Sequence, residues 1–388
     1  MIISSPYDEI KRREAALKFI SFQIKHGNRL NLFDLTGLSG GFLLEKEDLD
    51  LLETYVGSAI FEEALQKVGK EHLGGDKVLA FNRTSTALLA SIMALVNPGE
   101  EVIHFLPQLP SHPSIPRSAK LIGASYQEYD SLDEFRITER TVLVVVTGST
   151  MDQQVMAKQD FKRIIRLCQS SQITVLVDDA SGARLRTILY DQPRALDMGA
   201  DLVVTSTDKL MDGPRGGLMS GSVQLIDKIK TKALQFGLEA QPPLLAGMVK
   251  ALVNFDPERI LKASGRAKNL YQDLRLFLPE IKQTPTGIML SPEKLLLEMD
   301  NRGFKISFSA REAAILFATI LLKEHHIITI PAVGMPGVSA TIRMDLASKD
   351  AKNLDDEYIV NAFLETISFL QKIVKDVQYC RKFLYEYI

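Results

Sequence analysis

The chain has 388 residues, 46% of them hydrophobic and 24% charged, a balance that suits a globular protein with a sizeable core and excludes global disorder and fibrous repeats. Lys plus Arg number 46 against 48 Asp plus Glu, a net charge of -2, so no large nucleic-acid footprint is expected. The two cysteines, Cys168 and Cys380, sit in no CxxC or Cys/His cluster, which excludes a zinc ribbon and a disulfide framework and fits a reducing cytoplasm.

Ile10, Leu17, Ile20 and Ile24 share one face of a helix predicted over 7–25. Asp34-Leu-Thr-Gly-Leu-Ser-Gly-Gly-Phe42 reads as a glycine-rich loop, and a second amphipathic stretch covers about 46–69. From about 77 to 222 short β-branched runs alternate with helical stretches. Strands are predicted at 78–81, 101–105, 141–146, 173–177, 202–205 and 217–220, with helices at about 85–95 and 158–170. The run 141–146 has no polar alternation, which is how a strand buried on both faces reads. This pattern predicts an α/β fold with a mostly parallel, doubly wound sheet. After about 223 the chain reads as helical to about 278. A mixed region follows, with a strand at 341–346 and a closing helix at about 355–377. The domains expected are 1–55, an N-terminal helix and glycine loop; 56–250, a large cofactor-binding domain; and 251–388, a C-terminal region. The first and last together form a smaller α+β domain. The longest apolar stretch, 313–322, is too short to span a membrane.

Ligands of open α/β sheets sit outside the carboxyl ends of the strands. The first strand delivers Arg83, Thr84, Ser85 and Thr86 to a helix start. That end offers free N–H groups and a dipole for a phosphate, or a plain N-cap. The strand at 173–177 delivers Asp178, Asp179 and Ser181. Carboxylates at a buried strand end are expensive without partners. They suit a magnesium pair, a partner for a protonated ring nitrogen, or a helix cap. The next strand delivers Ser206 and Lys209, followed by a tight Gly213-Pro-Arg-Gly-Gly217 turn. Burial lowers a lysine's pKa and frees its amine to form a Schiff base; an exposed loop lysine is the plainer alternative. Together the three parts suit pyridoxal phosphate. The helix start would take the phosphate, an Asp the ring nitrogen, and the Lys the aldehyde. No GxxxxGK[ST] occurs and no GxGxxG follows a strand, so nucleotide readings fit less well.

At these residues the chain resembles the fold-type I pyridoxal-phosphate enzymes. Val177-Asp-Asp-Ala-Ser-Gly182 is similar to their Asp-x-Ala-His segment, with Ser181 where many have His. Thr207-Asp-Lys-Leu-x-x-Gly-Pro-x-x-Gly217 resembles the lysine motif of bacterial selenocysteine synthase (L-seryl-tRNA(Sec) selenium transferase), and Leu35-Thr-Gly37 is similar to a glycine loop of that family. Archaeal relatives of unassigned activity are closer still, sharing Asn82-Arg-Thr and Pro110-x-His-Pro-Ser-Ile-Pro116.

The resemblance implies a fold-type I PLP-dependent transferase fold, with Lys209 forming the internal aldimine and Asp178 on the pyridine nitrogen. It places Ser181 on the ring hydroxyl, Thr84, Ser85, Thr86 and Ser206 as phosphate ligands, and His112 over the ring face. Arg343, in Ala340-Thr-Ile-Arg-Met-Asp345, resembles an arginine that grips a substrate carboxylate. Arg83 and Arg215 would face an anionic substrate or a neighbouring subunit's cofactor phosphate. A homodimer or higher homo-oligomer and a small amino-acid-like substrate are implied, with elimination, replacement or transferase chemistry. Selenium transfer on seryl-tRNA and cofactor binding without turnover are the alternatives. The bacterial transferase carries a tRNA-binding region before its glycine loop, whereas about 35 residues precede Thr36 here. The densest early basic run is Ile10-Lys-Arg-Arg-Glu14, so tRNA is not the leading partner expected.

Overall fold

The computed structural model describes residues 1–38, 41–334 and 339–386. Ser39 and Gly40 of the glycine-rich loop lie outside the described residues. Twelve strands form among the described residues: β1 (Phe33–Asp34), β2 (Lys77–Phe81), β3 (Glu101–Phe105), β4 (Ser125–Tyr129), β5 (Thr141–Thr147), β6 (Thr174–Asp178), β7 (Leu202–Ser206), β8 (Gly217–Gly221), β9 (Lys282–Thr284), β10 (Gly287–Leu290), β11 (Ile327–Ile328) and β12 (Ile342–Asp345). The chain divides into two compact units, Leu38–Ile260 and Met1–Gly37 with Leu261–Ile388.

In the unit Leu38–Ile260 seven strands form one sheet in the order β2-β8-β7-β6-β5-β3-β4. Neighbours from β4 to β7 run parallel, and β8 alone is reversed between β7 and β2. The apolar run of β5 feeds both faces. Val144 and Val146 join Phe61, Phe161, Val177 and Met248 on one side. Val145 joins Phe81, Leu88, Ile92, Leu176 and Val204 on the other. Each such side chain contributes roughly 1.5–3 kcal/mol of burial, and helices cover both faces to provide it. Helix Lys158–Ser170 shows how: Phe161, Ile164, Ile165 and Cys168 recur at helical spacing and are buried.

Two expectations need correction here. Strand β4 was not predicted, because Ser125-Tyr-Gln-Glu-Tyr129 is a half-exposed edge without an apolar run. The stretch 46–69 is two helices, Lys46–Leu52 and Tyr55–Leu73, broken where the Thr54 side chain accepts from the Val56 N–H and caps the second.

In the other unit β12, β10 and β9 form an antiparallel sheet, and β1 pairs with β11 in parallel. Helix Ala310–His325 is buried on nearly every side, which accounts for the apolar stretch 313–322. The helix expected at about 355–377 forms over Asp356–Ile373, and a further helix, Val377–Tyr385, capped by Asp376, follows it. Helix Pro6–His26 forms as expected, but it buries a different face. Glu9, Arg12, Ala15, Ala16 and Phe19 point inward, while Ile10, Leu17 and Ile24 are exposed. The reason is polar: Arg12 pairs with Glu9 at 2.8 Å and donates to the Pro331 carbonyl at 2.7 Å. No helix among the described residues is long and apolar enough to cross a membrane.

Candidate active site

The register of the large sheet assembles the site. Thr147 pairs with Asp178, Asp178 with Val204, and Ser206 with Gly217. Paired residues point to one side of a sheet, and so do residues two apart on one strand. Thr147, Asp178 and Ser206 therefore emerge on the face of Val145, Leu176 and Val204, the face that helix Thr84–Leu95 covers.

Asp178 ends β6. Its Oδ1 is buried with no hydrogen-bond partner. Burial pushes its pKa up to about 6; the charge of Lys209 pulls down, Asp179 pushes up, and the Ala180 N–H pulls down. Asp179, the next residue, has another fate. Its carboxylate receives Arg186 through two bonds, Nη2 to Oδ2 at 2.5 Å and Nε to Oδ1 at 3.2 Å, with both side chains sealed from water. Two glycines make room for this pair. A Cβ on Gly148 or Gly182 would stand 1.9 or 2.0 Å from Asp179 Oδ1. The Asp179 carboxylate is thus taken up by Arg186, and among the described residues no group of three or more His, Cys, Asp or Glu is placed to hold a metal.

Lys209 lies in the loop after β7, half-buried, in a β-bridge with Leu38. Its charge acts on both Asp178 and His112. Its loop is tied down from within: Thr207 N–H donates to Gly216 O, the Thr207 hydroxyl to Pro214 O at 2.7 Å, and Gly213 N–H to Thr207 O. Leu210, at φ 60°, is held in the left-handed region by its burial.

Ser206 is buried, and its hydroxyl donates to the Asp208 carboxylate, which also pairs with Arg215 Nε at 3.5 Å. Ser181 shares a 2.7 Å hydrogen bond with Ser149. At the start of helix Thr84–Leu95, Thr86 is committed to the cap: its Oγ1 accepts from Arg83 N–H at 3.1 Å and donates to Arg83 O at 2.7 Å. Thr84 and Ser85 stand half-buried at the first turn, where helical N–H groups have no partner within the helix. Gly217 permits this closeness, since a Cβ there would meet Arg83 O at 2.7 Å. Arg83 itself is exposed.

His112 follows the Leu109–Pro110 cis peptide, and its Nδ1 meets Ser114 Oγ at 2.9 Å. Water reaches the ring, yet protein surrounds much of it. That partial desolvation, then the charges of Lys209, Arg117 and Arg83, push its pKa down to about 4, so it is neutral at pH 7. Arg343 belongs to the other unit, where it is buried on β12 and donates to Thr36 O at 3.3 Å.

Three residues escaped the sequence reading. Arg184 and Arg186 enter the core from helix Gly182–Leu189. His104, on β3, is buried between Thr147 Oγ1 at 2.7 Å and Tyr126 Oη at 3.0 Å. Burial pushes its pKa down to about 3. The only signal for the arginines was the doubled spacing in Gly182-Ala-Arg-Leu-Arg186, directly after two acids.

With this geometry in place, known proteins give it a family. A protein of Methanothermobacter thermautotrophicus described as a UPF0425 pyridoxal phosphate-dependent protein is 50% identical over 99% of this chain and 100% of its own length. The chain belongs to the UPF0425 pyridoxal phosphate-dependent protein family. The model of the UPF0425 C-terminal domain matches residues 278–355, and the L-seryl-tRNA selenium transferase model matches residues 127–274. An L-seryl-tRNA(Sec) selenium transferase of Mannheimia succiniciproducens is 26% identical over 50% of this chain and 44% of its own. Among solved structures, an aspartate aminotransferase of Thermotoga maritima aligns with a TM-score of 0.60 at 18% identity, covering 95% of this chain and 100% of that one. This UPF0425 chain therefore has the fold of the fold-type I pyridoxal-phosphate aminotransferases. The selenium-transferase match spans β5 to β8, which carry Asp178 and Lys209.

Proposed function

We propose that this protein is a pyridoxal-phosphate-dependent enzyme acting on an amino acid or amino-acid derivative. One observation carries the reading: a carboxylate oxygen, Asp178 Oδ1, is buried without a partner within the field of Lys209. A buried acceptor left open costs about 1–3 kcal/mol or more when charged, and a protonated ring nitrogen would satisfy it. Lys209 Nζ would hold the cofactor's aldehyde carbon with loss of water. Thr84 and Ser85, with the open N–H groups of their helix, would hold its phosphate. Ser181 would face the ring hydroxyl, and Ser206 could join the phosphate only by leaving Asp208. The names of the UPF0425 relatives support the cofactor.

When bound, the cofactor supplies an electron sink for negative charge at the substrate's α-carbon. Asp178 would keep the ring nitrogen protonated, Lys209 would carry the proton to and from the α-carbon, and neutral His112 would stand over the ring. Elimination, replacement or transferase chemistry is the preferred branch, supported by the selenium-transferase match. Arg343 and Arg83 are proposed for the substrate's anionic groups. Residues 56–250 are proposed as the cofactor domain of a cytoplasmic homodimer; the exposed Phe42, Leu49, Tyr55, Val56 and Ile60 suit contact with a second copy.

The test is a visible spectrum before and after borohydride. Wild type with added pyridoxal phosphate should show a band that bleaches, and Lys209→Ala should show none. A bleachable band retained in the variant would remove Lys209 from this role. Selenium transfer on seryl-tRNA is the second reading, favoured by the match over residues 127–274. A gel shift with seryl-tRNA at physiological salt decides it.

A further inference from the structure

Arg184 and Arg186 head the largest fully buried side chains among the described residues. Arg186 has its acid. Arg184 has no carboxylate in ion-pair range among the described residues. Its Nη2 donates to the carbonyls of Ala180, at 2.9 Å, and Ser206, while Nη1 meets His72 Nε2 at 3.2 Å. Its Nε has no partner. Arginine only donates, so His72 Nε2 must accept and the ring must be neutral. Burial lowers the Arg184 pKa to about 10, and the nearby charges of Asp179 and Asp208 favour the cation without touching it. A cation buried with no carboxylate in contact is costly, and an apolar residue would serve stability better.

The two carbonyls show what the charge holds. Ala180 lies two residues after Asp178, and Ser206 lies three before Lys209. The Ala180 N–H rests on the Asp178 carboxylate. Its carbonyl also accepts the Ser206 N–H at 3.1 Å and the Thr205 hydroxyl at 3.2 Å. Arg184 is the charged member of this knot between the exits of β6 and β7.

We propose that Arg184 is a positioning residue of the cofactor site: by bridging Ala180 O and Ser206 O it sets the spacing of Asp178 and Lys209 and keeps one positive charge buried beside them. This rests on the cofactor reading above. Both carbonyl bonds come from Nη2 and the His72 contact from Nη1. A lysine side chain is one bond shorter, so its single ammonium stops short of the Nη2 position and cannot also reach His72.

The experiment compares full-length wild type, Arg184→Met, Arg184→Lys and His72→Leu. Three quantities are read: the apo melting temperature, pyridoxal-phosphate affinity from titration of the visible band, and the pH midpoint of that band. Arg184→Met should bind the cofactor at least tenfold more weakly. Its midpoint should rise, because removing a nearby positive charge favours the protonated chromophore. Arg184→Lys keeps the charge but not the bridge, so affinity should fall with the midpoint near wild type. His72→Leu should behave like the Lys variant, with a smaller loss.

Unchanged affinity and midpoint beside a lowered melting temperature would make Arg184 a fold residue and overturn the proposal. If Arg184→Met does not fold, unchanged affinity in both other variants overturns it. Wild type that binds no cofactor overturns the cofactor reading and this one with it. Wild type that binds, with indifferent variants, overturns this one alone.

Discussion

Arg186 grips Asp179 from inside the core, with Nη2 2.5 Å from Oδ2 and Nε 3.2 Å from Oδ1. The grip separates two adjacent acids. Asp179 is neutralised by a partner, and Asp178 keeps one oxygen open. Arg186 is itself held by the Gln192 side chain and Pro193 O, and stacks over Phe161 at 4.7 Å. Removing one member strands the other. Arg186→Met is therefore expected to cost about 3–5 kcal/mol, and Arg186→Met with Asp179→Leu to recover a large part of it. Denaturant unfolding of the two variants measures this. A loss below about 1 kcal/mol in the single variant would show that the pair is not needed.

Gly148 and Gly182 are fixed by the same carboxylate. An alanine methyl at either would stand about 2 Å from Asp179 Oδ1. Both Gly→Ala variants should lose at least 1–3 kcal/mol, roughly the cost of overpacking. Gly265, inside helix Glu258–Leu274, is the control: nothing lies within 4 Å of its added Cβ. Gly265→Ala should gain about 0.5–1 kcal/mol from helix propensity. Thermal melting of the three, side by side, checks the prediction; equal shifts would refute it.

Asp178 gives the apo protein a pH signature. Its folded pKa, about 6, lies above the ordinary 3.8. A raised acid contributes stability that is fully present below the unfolded pKa and lost as pH rises through the folded one. Asp178→Asn should therefore melt higher than wild type above pH 6, with the difference gone below pH 4. At about 1.36 kcal/mol per pH unit, the gain is capped at about 3 kcal/mol. The same variant should lose cofactor affinity, since an amide cannot balance a ring cation. A melting difference independent of pH from 4 to 8 would contradict the assignment.

How much of this the sequence disclosed follows from what burial costs. β-branched runs at 78–81, 141–146 and 202–205 stand out because strands covered on both faces must be apolar throughout. Asp178 and Lys209 stand out because charges at buried strand ends need a reason. The partner of Asp179 does not, since an arginine in a short helix ordinarily faces water. The reversal of β8 is silent too, because a strand's side-chain pattern reads the same in either direction. In helix Pro6–His26 apolarity pointed to the wrong face: the Glu9–Arg12 pair and two alanines take the core side. The stripe of Ile10, Leu17 and Ile24 is left exposed.

The start of helix Thr84–Leu95 divides its hydroxyls between two tasks, and variants can separate them. Thr86 Oγ1 bonds both backbone groups of Arg83, so it serves the cap. Thr86→Ala should cost about 1 kcal/mol of stability, as lost caps do, and leave phosphate affinity within about twofold. Ser85 takes no part in that cap and lies half-buried in the same first turn, where a phosphate would meet the positive end of the helix. Ser85→Ala should leave melting within about 0.5 kcal/mol and weaken pyridoxal phosphate about tenfold, the cost of one charge-assisted hydrogen bond. Pyridoxal without its phosphate should not distinguish Ser85→Ala from wild type, which ties the loss to that group. The reverse pattern, with Thr86→Ala weakening the cofactor and Ser85→Ala the fold, would mean that the phosphate sits one residue deeper and displaces the cap.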